Sequence, residues 1–123
     1  MTSDAGIDLA ACAPADAKAY TIQVKAREQP VRAGGKGKAA LGWFLRNDSP
    51  ADLVATVDLD KDRVWLFKTI EFRECAQQHS EKGIRQLYMY VDASVKTKHQ
   101  RAHVAQFDKF LLERRVQELF FEI

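Results

Sequence analysis

Apolar positions alternate in several short runs along this chain, and the alternation predicts strands ahead of helices. In residues 6–11, Ile7, Leu9 and Ala11 fall on one side of an extended segment, and Gly6, Asp8 and Ala10 fall on the other. After a turn at 14–16, the run Tyr20-Thr-Ile-Gln-Val-Lys25 turns Tyr20, Ile22 and Val24 inward and Thr21, Gln23 and Lys25 outward. Gln23 and Lys25 then share a face, about 7 Å apart. The short connection makes these two strands antiparallel neighbours, so Asp8 can lie close to both polar residues. Residues 52–59 are apolar on both faces until Asp58, which predicts a strand central in the sheet. A tight turn at 60–62 leads into a strand at 63–68, forming a hairpin.

The remaining segments read differently. Residues 26–50 show no sustained pattern and contain Pro30 and a Gly/Lys run at 33–38, so a long functional or flexible loop is expected there. Thr69 is the expected N-cap of a helix reaching about His79, with Glu71 and Glu74 near its positive end. Gly83 closes that region, and 87–91 is a short extended run. A C-terminal helix is predicted over 98–119, with Val104, Phe107 and Leu111 at helical spacing and Leu112, Val116 and Leu119 in a shifted phase. At 123 residues the chain has room for one core, so 1–123 is expected to be one α/β (α+β) domain.

Composition narrows the class of protein. Hydrophobic residues make up 46% and charged residues 29%, too apolar for a disordered chain. Apolar stretches fall far short of the roughly 20 residues that span a bilayer, so no membrane partner is expected. Met1-Thr2-Ser3-Asp4 lacks a basic leader, and Cys12 and Cys75 have no Cys-x-x-Cys spacing, which points to packed, reduced thiols in the cytoplasm. The net charge of +2 conceals segregation. Between Lys18 and Arg46 seven basic residues stand against Glu28 alone, residues 47–62 are acidic, and 96–115 is basic again. Charge blocked in this way can face a polyanion.

Several weaker signals lead elsewhere. The Gly/Lys run is not an NTPase phosphate loop, because Ala39 stands where Ser or Thr should follow Lys38. His99 and His103 are four apart but lack a third ligand, so a surface pair is expected. Trp43 and Trp65 read as core and loop anchors. Neither cysteine sits in a nucleophile constellation.

The strings Gly6-Ile-Asp-Leu9 and Ile22-Gln-Val-Lys25 resemble the PD-(D/E)xK nuclease superfamily. They are most similar to its branch with intron-encoded homing endonucleases, in which Gln replaces the second acid. The Gly/Lys run, the segment at 51–55 and Val64-Trp-Leu-Phe67 are similar to the same branch. The resemblance implies a restriction-endonuclease-like mixed central sheet with flanking helices, acting as a metal-dependent DNA endonuclease. It implies that Asp8, the Gln23 side chain and the Val24 carbonyl hold Mg²⁺ or Mn²⁺, both of which take oxygen ligands. Asp8, Gln23 and Lys25 become the catalytic set, Lys25 orienting or deprotonating the attacking water and stabilising phosphate charge. Arg32, Lys36 and Lys38 would approach the DNA backbone. The family core opens with a helix before the Asp strand, and only seven residues precede Asp8. One sheet face is therefore expected to be uncovered unless an upstream segment or a second subunit covers it, which points to a late-assigned start, a truncated relative or a homo-oligomer, foremost a dimer. The neutral Gln23 and the missing helix keep an alternative open: a catalytically inactive DNA-binding or protein-interaction module on the same scaffold.

Overall fold

The computed structural model describes residues 8–12, 18–32 and 38–121, within which eight strands form two four-stranded sheets. The first sheet runs β1 (Leu9–Cys12), β2 (Ala19–Arg27), β5 (Leu53–Asp58) and β6 (Arg63–Lys68), in that spatial order. The second runs β3 (Val31–Arg32), β4 (Ala39–Arg46), β8 (Ile84–Tyr90) and β7 (Gln78–His79). All neighbours are antiparallel except β2 and β5, which lie parallel from Ile22↔Leu53 to Arg27↔Asp58. A parallel pair needs a long crossover. Here the chain makes it by leaving for the second sheet through β3 and β4 before returning as β5. The architecture is α+β, with helical segments at α1 (Thr69–Cys75) and near the C-terminus.

Side chains of alternate parity fill two cores. Leu41, Trp43 and Leu45 of β4 and Leu87 and Met89 of β8 meet Val54, Trp65 and Phe67 of the first sheet. Phe72 of α1 and Phe107 and Phe110 close the edge of this layer. Phe67 lies at its centre, with rings of Phe72, Phe107 and Phe110 at centroid distances of 5.9, 6.3 and 4.6 Å. On the other face of the first sheet, Ile22, Leu53, Ala55 and Leu66 pack under Phe120, with Leu112 and Val116 beside it. That face keeps an open apolar groove of about 530 Å³ between Leu9, Val24 and Val57 on the sheet and Leu112, Val116 and Phe121 on the helical segment.

Four sequence expectations are corrected. The loop assigned to 26–50 contains β3 and β4, and β4 is a core strand whose Leu41 is fully buried. Its period-2 signal is hidden because Ala40, Gly42 and Phe44, on the opposite face, are apolar too. The helix at 69–79 stops at Cys75, and its cap is Lys68. Thr69 is already the first helical residue, and its hydroxyl donates to the Ala51 carbonyl at 2.6 Å. Gln77 then acts as a strand surrogate. Its amide donates to the Tyr88 and Arg101 carbonyls at 2.8 and 3.0 Å, and its oxygen accepts the Tyr88 N–H at 2.9 Å.

The helix expected over 98–119 is three pieces: a 3₁₀ helix at Val104–Phe110, α2 at Leu112–Val116 and a π turn at Gln117–Phe121. Val104, Phe107 and Phe110 recur every three residues, the 3₁₀ period, and face the inter-sheet core. The chain breaks at Leu111, which bridges to Trp65, so that Leu112, Val116 and Phe120 can address the other face of the first sheet. The fourth correction concerns β2. Gln23 points away from Ile22 as expected, yet it is only 9% exposed, because that face meets the second sheet and not solvent.

Candidate functional site

The Leu9↔Ile22 pairing sets Asp8 at the entrance to β1, beside the middle of β2. Its N–H donates to the Ile22 carbonyl at 2.9 Å. Its carboxylate Oδ2 accepts the Val24 N–H at 2.8 Å. The Asp8 charge is thus held against the peptide flanked by Gln23 and Lys25. A strand residue sends its N–H and C=O to the same edge, so the Val24 carbonyl leaves β2 on the Asp8 side. Asp8 is exposed, Val24 and Lys25 are half-buried, and Gln23 is buried.

Gln23 Oε1 accepts a hydrogen bond from the Ser49 hydroxyl at 2.9 Å. Ser49 comes from the turn after β4 and had no place in the motif read from the sequence. Its only sequence signal was that turn, where Arg46, Asp48 and Pro50 mark a chain reversal. The amide oxygen is thereby oriented, with its second lone pair still able to meet a cation. Asp8, Gln23 and the Val24 carbonyl offer oxygen only, the donor set of a hard divalent ion, with a single formal negative charge. Among the described residues no group of three or more His, Cys, Asp or Glu side chains is spaced to hold a metal. A cation here would therefore depend on amide and carbonyl oxygens.

Lys25 lies opposite Thr56, and Thr56 opposite Trp65, forming a row across β2, β5 and β6 on the face toward the second sheet. Thr56 Oγ1 and the indole nitrogens of Trp65 and Trp43 are buried without hydrogen-bond partners among the described residues. The two indole rings are 5.8 Å apart. Unused hydrogen-bonding capacity makes this part of the inter-sheet layer polar next to Lys25.

The other expected residues are scattered. Arg32, at the end of β3, and Lys38, before β4, are exposed on the strand pair β3–β4. Lys36 lies outside the described residues, as do Gly6 and Ile7. His99 and His103 do not share a helix; their rings pack instead near Tyr88 and Tyr90, at 6.1 and 5.9 Å. Trp43 and Trp65 are both core residues.

The cysteines differ from the packed thiols expected. Cys12 is exposed on β1, whereas Cys75 is half-buried at the end of α1 beside Arg101, whose Nη1 is 3.6 Å from its sulfur. Burial pushes the Cys75 thiol up, and the hydrogen bond and charge of Arg101 offset this only in part. Alkylation follows thiolate fraction and access. Iodoacetamide at pH 8 should therefore modify Cys12 several-fold faster than Cys75, as peptide mass mapping over time would show.

No protein-family model, curated protein or solved structure matches the chain.

Proposed function

We propose that the protein hydrolyses phosphodiester bonds of DNA with a divalent cation, Mg²⁺ or Mn²⁺, on a restriction-endonuclease-like arrangement of the first sheet. The observation that carries this reading is the Asp8 carboxylate bonded to the Val24 N–H, between Gln23 and Lys25. Asp8, Gln23 and the Val24 carbonyl would hold the ion, and Ser49 fixes the Gln23 oxygen. When bound, such an ion supplies charge neutralisation at the scissile phosphate and a more acidic water. The Val24 N–H keeps the Asp8 carboxylate at the strand edge. Lys25 directs its ammonium at the phosphate oxygens and orients the water that attacks phosphorus. Arg32 and Lys38 bring positive charge to the DNA backbone.

The test is a plasmid-nicking assay with Mg²⁺, with Mn²⁺ and with chelator. Wild-type protein should nick only with metal, and Lys25→Ala should nick about a hundredfold more slowly or worse. Equal rates for the two proteins, or nicking in chelator, would remove the assignment.

A second reading has its own observation. Asp8 Oδ2 and Gln23 Oε1 each already accept a protein hydrogen bond, and one negative charge is a weak lure for a dication. A catalytically inactive DNA-binding module would show affinity that falls steeply with salt and no nicking with either metal.

A further inference from the structure

We propose that the outer face of the second sheet is a binding track for single-stranded DNA, with unpaired bases stacking on Tyr88, Tyr90 and Phe44 while Arg27 and Lys38 hold the phosphates. Leu41, Trp43, Leu45, Leu87 and Met89 point into the core, so the alternate residues of β4 and β8 face away from it. That outer face carries Gly42 and Phe44 on β4, and Gln86, Tyr88 and Tyr90 on β8. Phe44 is 52% exposed and lines a hollow on this face together with the partly exposed Ile84.

Two hollows lie end to end on this face. One, of about 170 Å³, is lined by Tyr88, Tyr90, Gly42, Arg27 and Lys38. The other, of about 270 Å³, is lined by Phe44, Ile84, His79 and Ser80. Gln78 and Gln86, directly paired across β7 and β8, line both. The sequence of surfaces is thus aromatic, amide, aromatic. Aromatic faces stack on any base, and side-chain amides can donate to and accept from the edge of an unpaired one. The Tyr88 and Tyr90 rings meet edge to face at 5.3 Å, which leaves the two ring planes turned 69° apart.

Gly42 forms the floor of the first hollow. A Cβ there would lie 3.3 Å from Gln86 Nε2 and 3.9 Å from Tyr88 Cβ, so any side chain would grow into the space between them.

Charge selects the occupant. Neither Arg27 nor Lys38 belongs to any salt bridge among the described residues. Asp92 has a carboxylate within electrostatic reach of Lys38, and its main partner is Ser94, through the backbone N–H and hydroxyl at 2.9 and 2.7 Å. A neutral peptide or a lipid tail would leave both cations unused, whereas a single strand of nucleic acid engages the aromatic faces, the cations and the paired amides together. Arg27 stands two residues beyond Lys25 on β2, about 7 Å away along the strand, and also lines the first hollow. The choice of DNA over RNA rests on the proposed hydrolytic reading, whereas stacking and charge do not.

The experiment is a fluorescence-anisotropy titration in chelator, where hydrolysis cannot contribute. The probes are a labelled 15-nucleotide oligothymidylate, the 15-base-pair duplex and oligouridylate. The single DNA strand should bind tightest. Tyr88→Ala and Tyr90→Ala should each weaken it at least about fivefold, with Tyr88→Phe near wild type. Gly42→Val should weaken it comparably, with an unchanged melting curve, and so reads the hollow even if a tyrosine variant unfolds. Because the titration runs without metal, its outcome does not depend on the nicking assay, so failure of hydrolysis and failure of this site are read separately. Duplex or RNA binding as tight as the single DNA strand, or a folded Gly42→Val protein binding it at full strength, would overturn the proposal.

Discussion

Asparagine in place of Asp8 should abolish metal-dependent nicking while leaving the fold almost untouched. The two roles of this carboxylate can be separated because they use different properties. Its structural role is to accept the Val24 N–H at 2.8 Å, and an amide oxygen can accept that bond as well. Its proposed chemical role is to supply the only formal negative charge of the ligand set, and Asn cannot. A fall in nicking rate of about a hundredfold to a thousandfold is expected for Asp8→Asn, on the scale of losing one charge-stabilising group at a reacting centre. Asp8→Ala should lose as much activity and also roughly 1 kcal/mol of stability, through the orphaned Val24 N–H. Nicking rates with Mg²⁺ and urea melts of both variants make the comparison. If Asp8→Asn nicks at the wild-type rate, the carboxylate has only its structural role. Gln23→Glu is the converse change: it restores a second charge and should lower the Mg²⁺ concentration needed for half-maximal nicking.

The elements that were legible in the sequence are those whose two faces differ in chemistry or whose ends carry turn residues. β2 alternates between Ile22 or Val24 and Gln23 or Lys25, and β5 and β6 are joined by Asp60-Lys-Asp62, so all three were foreseen close to their observed limits. The approach of Asp8 to β2 followed from the short link between the first two strands, and the observed register agrees with it. β4 was not legible because both its faces are apolar. One of them packs against the first sheet, and the other is the aromatic outer face described above. The C-terminal break was written in the sequence only as a change of phase after Leu111. Its cause, that residues 104–110 and 112–120 serve different cores, needs the second sheet to be known. Burial of Gln23 was hidden for the same reason. A polar residue on an alternating strand reads as wet until another layer is placed over it, and Ser49, which bonds it, is 26 residues away.

Those two cores are tied together by one buried cation, and its removal should cost about 3 kcal/mol. Arg115 is 8% exposed. It donates through Nε to the Leu66 carbonyl at 3.2 Å, through Nη1 to Glu118 at 2.8 Å and through Nη2 to Glu71 at 2.5 Å. Glu71 also accepts the Lys68 N–H at 2.7 Å, which caps α1. Arg115 therefore joins α2, α1 and β6, and its guanidinium also lies 5.6 Å from the Phe110 ring centroid. Arg115→Ala removes all of these at once. It leaves the Glu71 charge, whose side chain is 24% exposed, with the Lys68 N–H as its remaining partner. Truncating one side of a buried pair is costly mainly for that reason, whereas replacing both sides with apolar groups need not be. Glu118 matters less, since its side chain is half exposed and water can take over. Thermal melts should show Arg115→Ala about 10–15 °C below wild type, at the size of this chain. The double variant Arg115→Met, Glu71→Gln should recover much of that loss, because no unpaired charge stays inside. Lys cannot substitute, since a single ammonium cannot reach three acceptors set around a planar fork. A drop of only 1–2 °C for Arg115→Ala would mean that Phe120, Leu112 and Val116 hold the C-terminal segment without it.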